Sequence, residues 1–89
     1  MLNAVSYLKL KHIMLKYYRN ARIFIEQKGI IDSRIIIDKS RILINRRKIV
    51  ISNEDTDCII EFDLLKKIKI EDKLHIELLY KDFKVILEI

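Results

Sequence analysis

The chain has 89 residues with a net charge of +5, 51% hydrophobic and 35% charged residues, one Gly and no Pro. A single domain of this size (residues 1–89) buries only about 60–65% of its unfolded surface. Its wealth of Ile and poverty in Gly and Pro exclude a disordered chain, and its single Cys excludes an internal disulfide.

Residues 2–19 predict an amphipathic N-terminal helix within a helical region 1–20. Ser6, Lys9, His12, Lys16 and Arg19 recur at spacings of three and four on one polar stripe, with Tyr7, Leu10, Met14, Tyr17 and Tyr18 opposite. Asn3 suits the N-cap. A rival reading makes Ser6 to Lys11 a strand, since Leu8 and Leu10 alternate with Lys9 and Lys11; the helical pattern runs longer. Met1 to Tyr18 is apolar, but Lys9, Lys11, His12 and Lys16 interrupt it, and no run of ~20 apolar residues is available to span a bilayer.

Residues 22–89 predict antiparallel β-structure. From Arg22 the period changes to two, and Lys28-Gly29 breaks the run at a turn. Ile30 to Asp38 follows as a second extended segment, bent near Asp32-Ser33. Arg41 to Ser52 predicts a hairpin in which Ile44 faces Ile49, Ile42 faces Ile51 and Leu43 faces Val50. Both of its faces are apolar, which places it centrally in a sheet. Its turn residues, Asn45 to Lys48, suit a two-residue primed turn poorly, so a longer loop competes. Asn53 to Asp57 is an acidic loop and Cys58 to Phe62 a strand, in which Cys58 behaves as a small buried hydrophobe. Asp63 to Lys67 predicts a short helical turn capped by Asp63, and Ile68 to Glu71 is extended.

The final hairpin carries the strongest pattern. Leu74, Ile76, Leu78 and Tyr80 alternate with His75, Glu77 and Leu79; Phe83, Val85, Leu87 and Ile89 alternate with Lys84, Ile86 and Glu88. Joined at Lys81-Asp82, they pair as Tyr80–Phe83, Leu78–Val85, Ile76–Leu87 and Leu74–Ile89, eight apolar side chains on one face. A one-residue slip would turn one strand's whole set outward. On the other face Leu79 and Ile86 make an apolar interaction patch, to be covered by the helix or a second subunit. The expected fold is mainly β (α+β): one N-terminal helix packed on a curled antiparallel sheet or small barrel of six to seven strands, paired in sequence order.

Charge divides the chain. Residues 1–50 hold twelve Lys/Arg against three acids, a net of +9; residues 51–89 hold six Lys against ten acids, a net of −4. Such a split fits an anionic partner or head-to-tail self-contact. The cations expected to meet a polyanion are Lys9, Lys16 and Arg19 on the helix, Arg22 after it, and Arg46, Arg47 and Lys48 in the hairpin loop.

Catalytic chemistry finds no foothold. Neither His12 nor His75 has a second His or Cys at metal-ligand spacing. Asn53, Asp55 and Asp57 match positions 1, 3 and 5 of a calcium loop, but Cys58 stands where Gly is needed and Leu64 where Glu is needed. One Gly cannot build a phosphate-cradling loop. No enzyme, metal or cofactor is expected.

Arg41 to Ile89 resembles a pleckstrin-homology or GRAM-like barrel, through the hairpin Ile42–Ile51, the strand Cys58–Phe62 with Asp63 to Ile68, and the hairpin Leu74–Ile89. The resemblance implies a binding module whose basic loop, here Asn45 to Lys48, meets phosphoinositides or proteins; those domains end in a capping helix, where this chain ends in a strand. The helix followed by strands, with Lys28-Gly29 as first turn, is also similar to Sm-like proteins, without their second Gly or their Asp-x-x-x-Asn. The sequence therefore predicts a small, non-catalytic, cytoplasmic binding module. Its partner is nucleic acid or another polyanion, such as an acidic protein surface. The alternative is a protein-interaction or self-assembly module forming a homo-oligomer.

Overall fold

The structure, a computed structural model, describes residues 3–89. Leu2, the expected first residue of the helix, lies outside that range. Asn3 caps α1 (Ala4–Ile13): its side-chain oxygen accepts from the Ser6 N–H at 2.8 Å, satisfying a donor that the first helical turn leaves free. The helix continues into a π-helical turn, Met14–Tyr18. Tyr7, Leu10, Ile13, Met14 and Tyr18 are buried, so the helical reading prevails over the strand. The chain leaves this turn through Asn20, whose left-handed φ of 61° is one that Asn tolerates.

Eight strands follow: β1 (Ile23–Gly29), β2 (Ser33–Ile37), β3 (Arg41–Ile44), β4 (Lys48–Ser52), β5 (Asp57–Glu61), β6 (Lys67–Asp72), β7 (His75–Leu79) and β8 (Phe83–Glu88). They form two antiparallel sheets, one ordered β2-β1-β8-β7-β6 and the other β3-β4-β5. The fold is mainly β with an N-terminal helix, as expected, but the sheets do not close into a barrel. Sequence-order pairing fails at two places, between β2 and β3 and between β5 and β6, and β1 lies beside β8, matching Ile25 to Leu87 and Gly29 to Phe83. Two connectors change sheets instead of turning hairpins, residues 38–40 and residues 62–66. In the first, Lys39 takes φ 50° and Ser40 is fully buried.

Both hairpin registers follow the apolar alternation. Ile44–Ile49, Leu43–Val50 and Ile42–Ile51 pair in β3–β4. Ile76–Leu87 and Leu78–Val85 pair in β7–β8, extended by backbone bonds from Tyr80 N–H to Phe83 C=O and from Ile89 N–H to Leu74 C=O. The first hairpin is not wholly central, however. Only β4 has a neighbour on both sides, and Leu43 on the edge strand is 55% exposed. Its turn closes on Asn45, whose side-chain oxygen accepts from the N–H groups of Arg47 and Lys48. Residues 46 and 47 therefore avoid the positive φ of a primed turn. Asp63 to Lys66 makes a turn and an irregular stretch instead of the expected helical turn, because the chain is crossing between the sheets there.

Ile49, Ile51, Ile76, Leu78 and Leu87 from the facing sheets share one core with Leu10, Met14 and Tyr18 of the helix. Burying each such side chain stabilises the fold by roughly 1.5–3 kcal/mol. Tyr18 fastens the helix to both sheets: its hydroxyl donates to the Leu87 carbonyl of β8 at 3.2 Å, and its own carbonyl accepts from Ser40 Oγ, just before β3. Burial, with Asp72 and Glu88 nearby, raises the Tyr18 pKa and keeps the hydroxyl a donor.

Candidate nucleic-acid interface

The first carboxylate in the sequence is Glu26, so the whole helix and its exit carry cations alone: Lys9, Lys11, Lys16, Arg19 and Arg22. Lys9, His12, Lys16 and Arg19 are exposed. Folding adds two more cations from remote turns. Arg46, at the β3–β4 turn, lies over the Tyr7 ring with its guanidinium carbon 5.1 Å from the centroid, and Lys11 Nζ lies 5.9 Å from the same ring. Lys73, at the β6–β7 turn, sits 4.9 Å from the Tyr17 centroid, with Lys16 at 5.4 Å. A ring face attracts cations electrostatically, so Tyr7 and Tyr17 each gather one cation from the helix and one from the sheets.

The expected cations do not all join this surface. Arg22 Nε donates to Asp38, and the pair is exposed; this carboxylate raises the Arg22 pKa and cancels its charge. Lys48 lies opposite Glu61 in the β4–β5 ladder. Arg47 is exposed beside Arg46 in the turn. Lys11 and Lys73 were not among the expected residues. The acid-free run before Glu26 marks Lys11 in the sequence, whereas nothing local marks Lys73.

The Leu79–Ile86 patch is not left bare for a partner. Ile86 is 6% exposed, lying in the sheet between Glu26 of β1 and Glu77 of β7, and Leu79 is half-buried beside Lys84. The helix packs on the opposite face of this sheet, with the core. Long charged side chains lay their apolar stems over neighbours in this way.

His75 belongs to an ion-pair network on that outer face. Its Nε2 is 2.9 Å from Glu77 and its Nδ1 3.4 Å from Glu88. The bond to Glu77 is the main cause of a raised His75 pKa, and the same bond lowers that of Glu77. Glu71, His75 and Glu77 bring potential ligand atoms within 4.8 Å of one another. Lys69 and Lys84 already pair with these carboxylates, each at 3.4 Å. The calcium-like spacing at Asn53 is a turn, in which Asn53 Oδ1 accepts from the N–H groups of Asp55 and Thr56.

Comparison with family models, curated proteins and solved structures finds no match to this chain. The site therefore rests on its own geometry. Among the described residues, no helix is long and apolar enough to cross a membrane.

A groove of about 650 Å³ lies between the two sheets, bordered by β1, β2 and β8 on one side and β5 on the other. Ile25, Ile35, Ile60, Val85 and Phe83 supply apolar walls, with Phe83 stacked on Tyr80 at 4.4 Å between centroids. Cys58 lines it, and burial pushes its thiol pKa up. The sequence gives no sign of this groove, because it arises where β2 and β5 fail to pair.

Proposed function

We propose that the protein is a non-catalytic, cytoplasmic binding module that holds nucleic acid against its helical face. The observation that carries this reading is the convergence of Arg46 and Lys73 on a helix free of carboxylates. Lys11 joins Arg46 at Tyr7 and Lys16 joins Lys73 at Tyr17, and Lys9 and Arg19 stand exposed on the same helical segment. Phosphates met by such groups release counterions, which gives affinity with little sequence preference. The pleckstrin-homology-like reading agrees at this level, since Arg46 belongs to the basic hairpin turn such domains use for binding.

The test is a duplex-DNA and single-stranded RNA anisotropy titration across salt, with anionic vesicles as a further arm because Val5 and Leu8 stand exposed on the same helix. About six phosphate contacts predict a loss of roughly 10³ in duplex affinity between 50 and 200 mM salt. Arg46→Ala should lower the slope of log K against log salt by about one, the share of one contact. Affinity flat in salt, an unchanged slope in Arg46→Ala, or binding to vesicles alone would each refute the proposal. A protein-interaction role is the second reading, favoured by the open groove beside β5.

A further inference from the structure

We propose that the groove between β5 and the larger sheet docks an extended peptide segment of a partner protein, apolar at alternate positions and carrying Lys or Arg between them, which adds to β5 as a further strand. This site is separate from the helical face and does not depend on it.

Backbone geometry comes first. Among the described residues β5 pairs with β4 alone. The bonds from Phe62 N–H to Arg47 C=O and from Asn53 N–H to Thr56 C=O bracket that ladder. Antiparallel pairs alternate between bonded and non-bonded. Ile60 and Cys58 therefore spend their backbone groups on β4, while Asp57, Ile59 and Glu61 turn theirs to the free edge. The Glu61 carbonyl already accepts from the Tyr80 hydroxyl, which shows that this edge faces the groove.

Of the other edges, β6 and β3 are guarded in ways β5 is not, and β2 forms the opposite border of the same groove. An exposed edge is normally blunted by lysines, a bulge or a covering element. β6 carries Lys67 and Lys69 and a register shift between Ile70 and Asp72. β3 lies against the helical segment. β5, Asp-Cys-Ile-Ile-Glu, has no Lys, no Pro and an unbroken register with β4. Its five residues span about 17 Å at 3.3–3.4 Å per residue, room for a short strand.

Charge selects the occupant. Residues 49–65 hold Glu54, Asp55, Asp57, Glu61 and Asp63 and no Lys or Arg. Among the described residues, Glu61 and Asp63 are the only charged ones lining the groove. A second β5 would be repelled, whereas a cationic strand is attracted, and the apolar walls take its alternate side chains. Strand addition of this kind draws affinity from main-chain bonds and specificity from side-chain pockets.

Cys58 is the sole thiol and lines the groove, so its alkylation by iodoacetamide reports occupancy on the full chain. The probe is the capped peptide Lys-Val-Lys-Ile-Lys-Val-Lys, with the same peptide carrying Glu for Lys as control. The expected result is saturable loss of Cys58 alkylation with the lysine peptide only, and amide NMR shifts concentrated in β5 and β2. Ile59→Pro removes a free edge donor without breaking a bond to β4 and should abolish protection. Glu61→Lys with Asp63→Lys should do the same through charge, and decides the matter if the proline variant does not fold. Four results would overturn the proposal: equal protection by the Glu peptide; protection retained in folded Ile59→Pro or in the double lysine variant; protection by decanoate but not by the peptide; or concentration-dependent protection without any peptide, which would make the groove a contact between copies.

Discussion

Replacing Gly29 with Ala tests whether β1 and β8 lie as close as the structure places them. Gly29 pairs with Phe83, and a Cβ built on it would meet the Asp82 carbonyl oxygen at 2.6 Å and the Phe83 Cβ at 2.6 Å. Ordinary contacts of this type begin near 3.4 Å, so the strands must part by most of an ångström. Neither obstacle is a flexible side-chain end, because one is backbone and the other is fixed to it. Forcing an extra carbon into a filled space costs about 1–3 kcal/mol. For a domain of 60–100 residues, each kcal/mol lowers Tm by about 4–8 °C, so a cost near 2 kcal/mol means a fall of about 8–16 °C. Thermal unfolding followed by circular dichroism reads the change, with urea titration to convert it to free energy. Lys28→Ala, one residue earlier at an exposed position, is the control and should stay within about 0.5 kcal/mol of wild type. A Gly29→Ala protein melting together with that control would mean that β1 does not meet β8 at this point.

Tyr18→Phe removes the bond to the Leu87 carbonyl while keeping the ring, and should cost about 1 kcal/mol in urea titration, the net worth of one hydrogen bond. An unchanged midpoint would show that the hydroxyl does not tie the helix to β8. The His75 pKa is raised, chiefly by Glu77. Its ion pairs therefore add stability fully below the unfolded pKa near 6.5 and lose it as pH rises through the higher folded value. An NMR titration should place the His75 midpoint above that of His75 in a Glu77→Gln variant; coincident midpoints would disprove the pairing.

The last hairpin and the β3–β4 hairpin were legible because alternation over four or more residues leaves one register that keeps Ile76, Leu78, Val85 and Leu87 inside. The helix was legible down to its Asn3 cap. The pairing of β1 with β8 was not, since nothing local in Ile23 to Gly29 says which distant strand it meets, and the closed barrel failed because β2 does not pair with β3 nor β5 with β6. Exposure was misjudged where a second layer was assumed: Leu43 has no cover, while Ile86 is covered by its own sheet. The candidate interface was half visible. Lys9, Lys16 and Arg19 follow from helical spacing, but the gathering of Arg46 at Tyr7 and Lys73 at Tyr17, and the neutralisation of Arg22 by Asp38, are products of tertiary structure.

The adjacency of β1 and β8, reinforced by the Tyr18–Leu87 bond, has a kinetic consequence. Neither the helical segment nor β1 finds its full docking surface until β8 is in place, so the search for the native state includes closing a loop that contains most of the polypeptide. Proteins dominated by such distant contacts fold in milliseconds to seconds rather than microseconds. The β7–β8 hairpin, local and strongly patterned, is the natural nucleus on which the early-sequence elements condense.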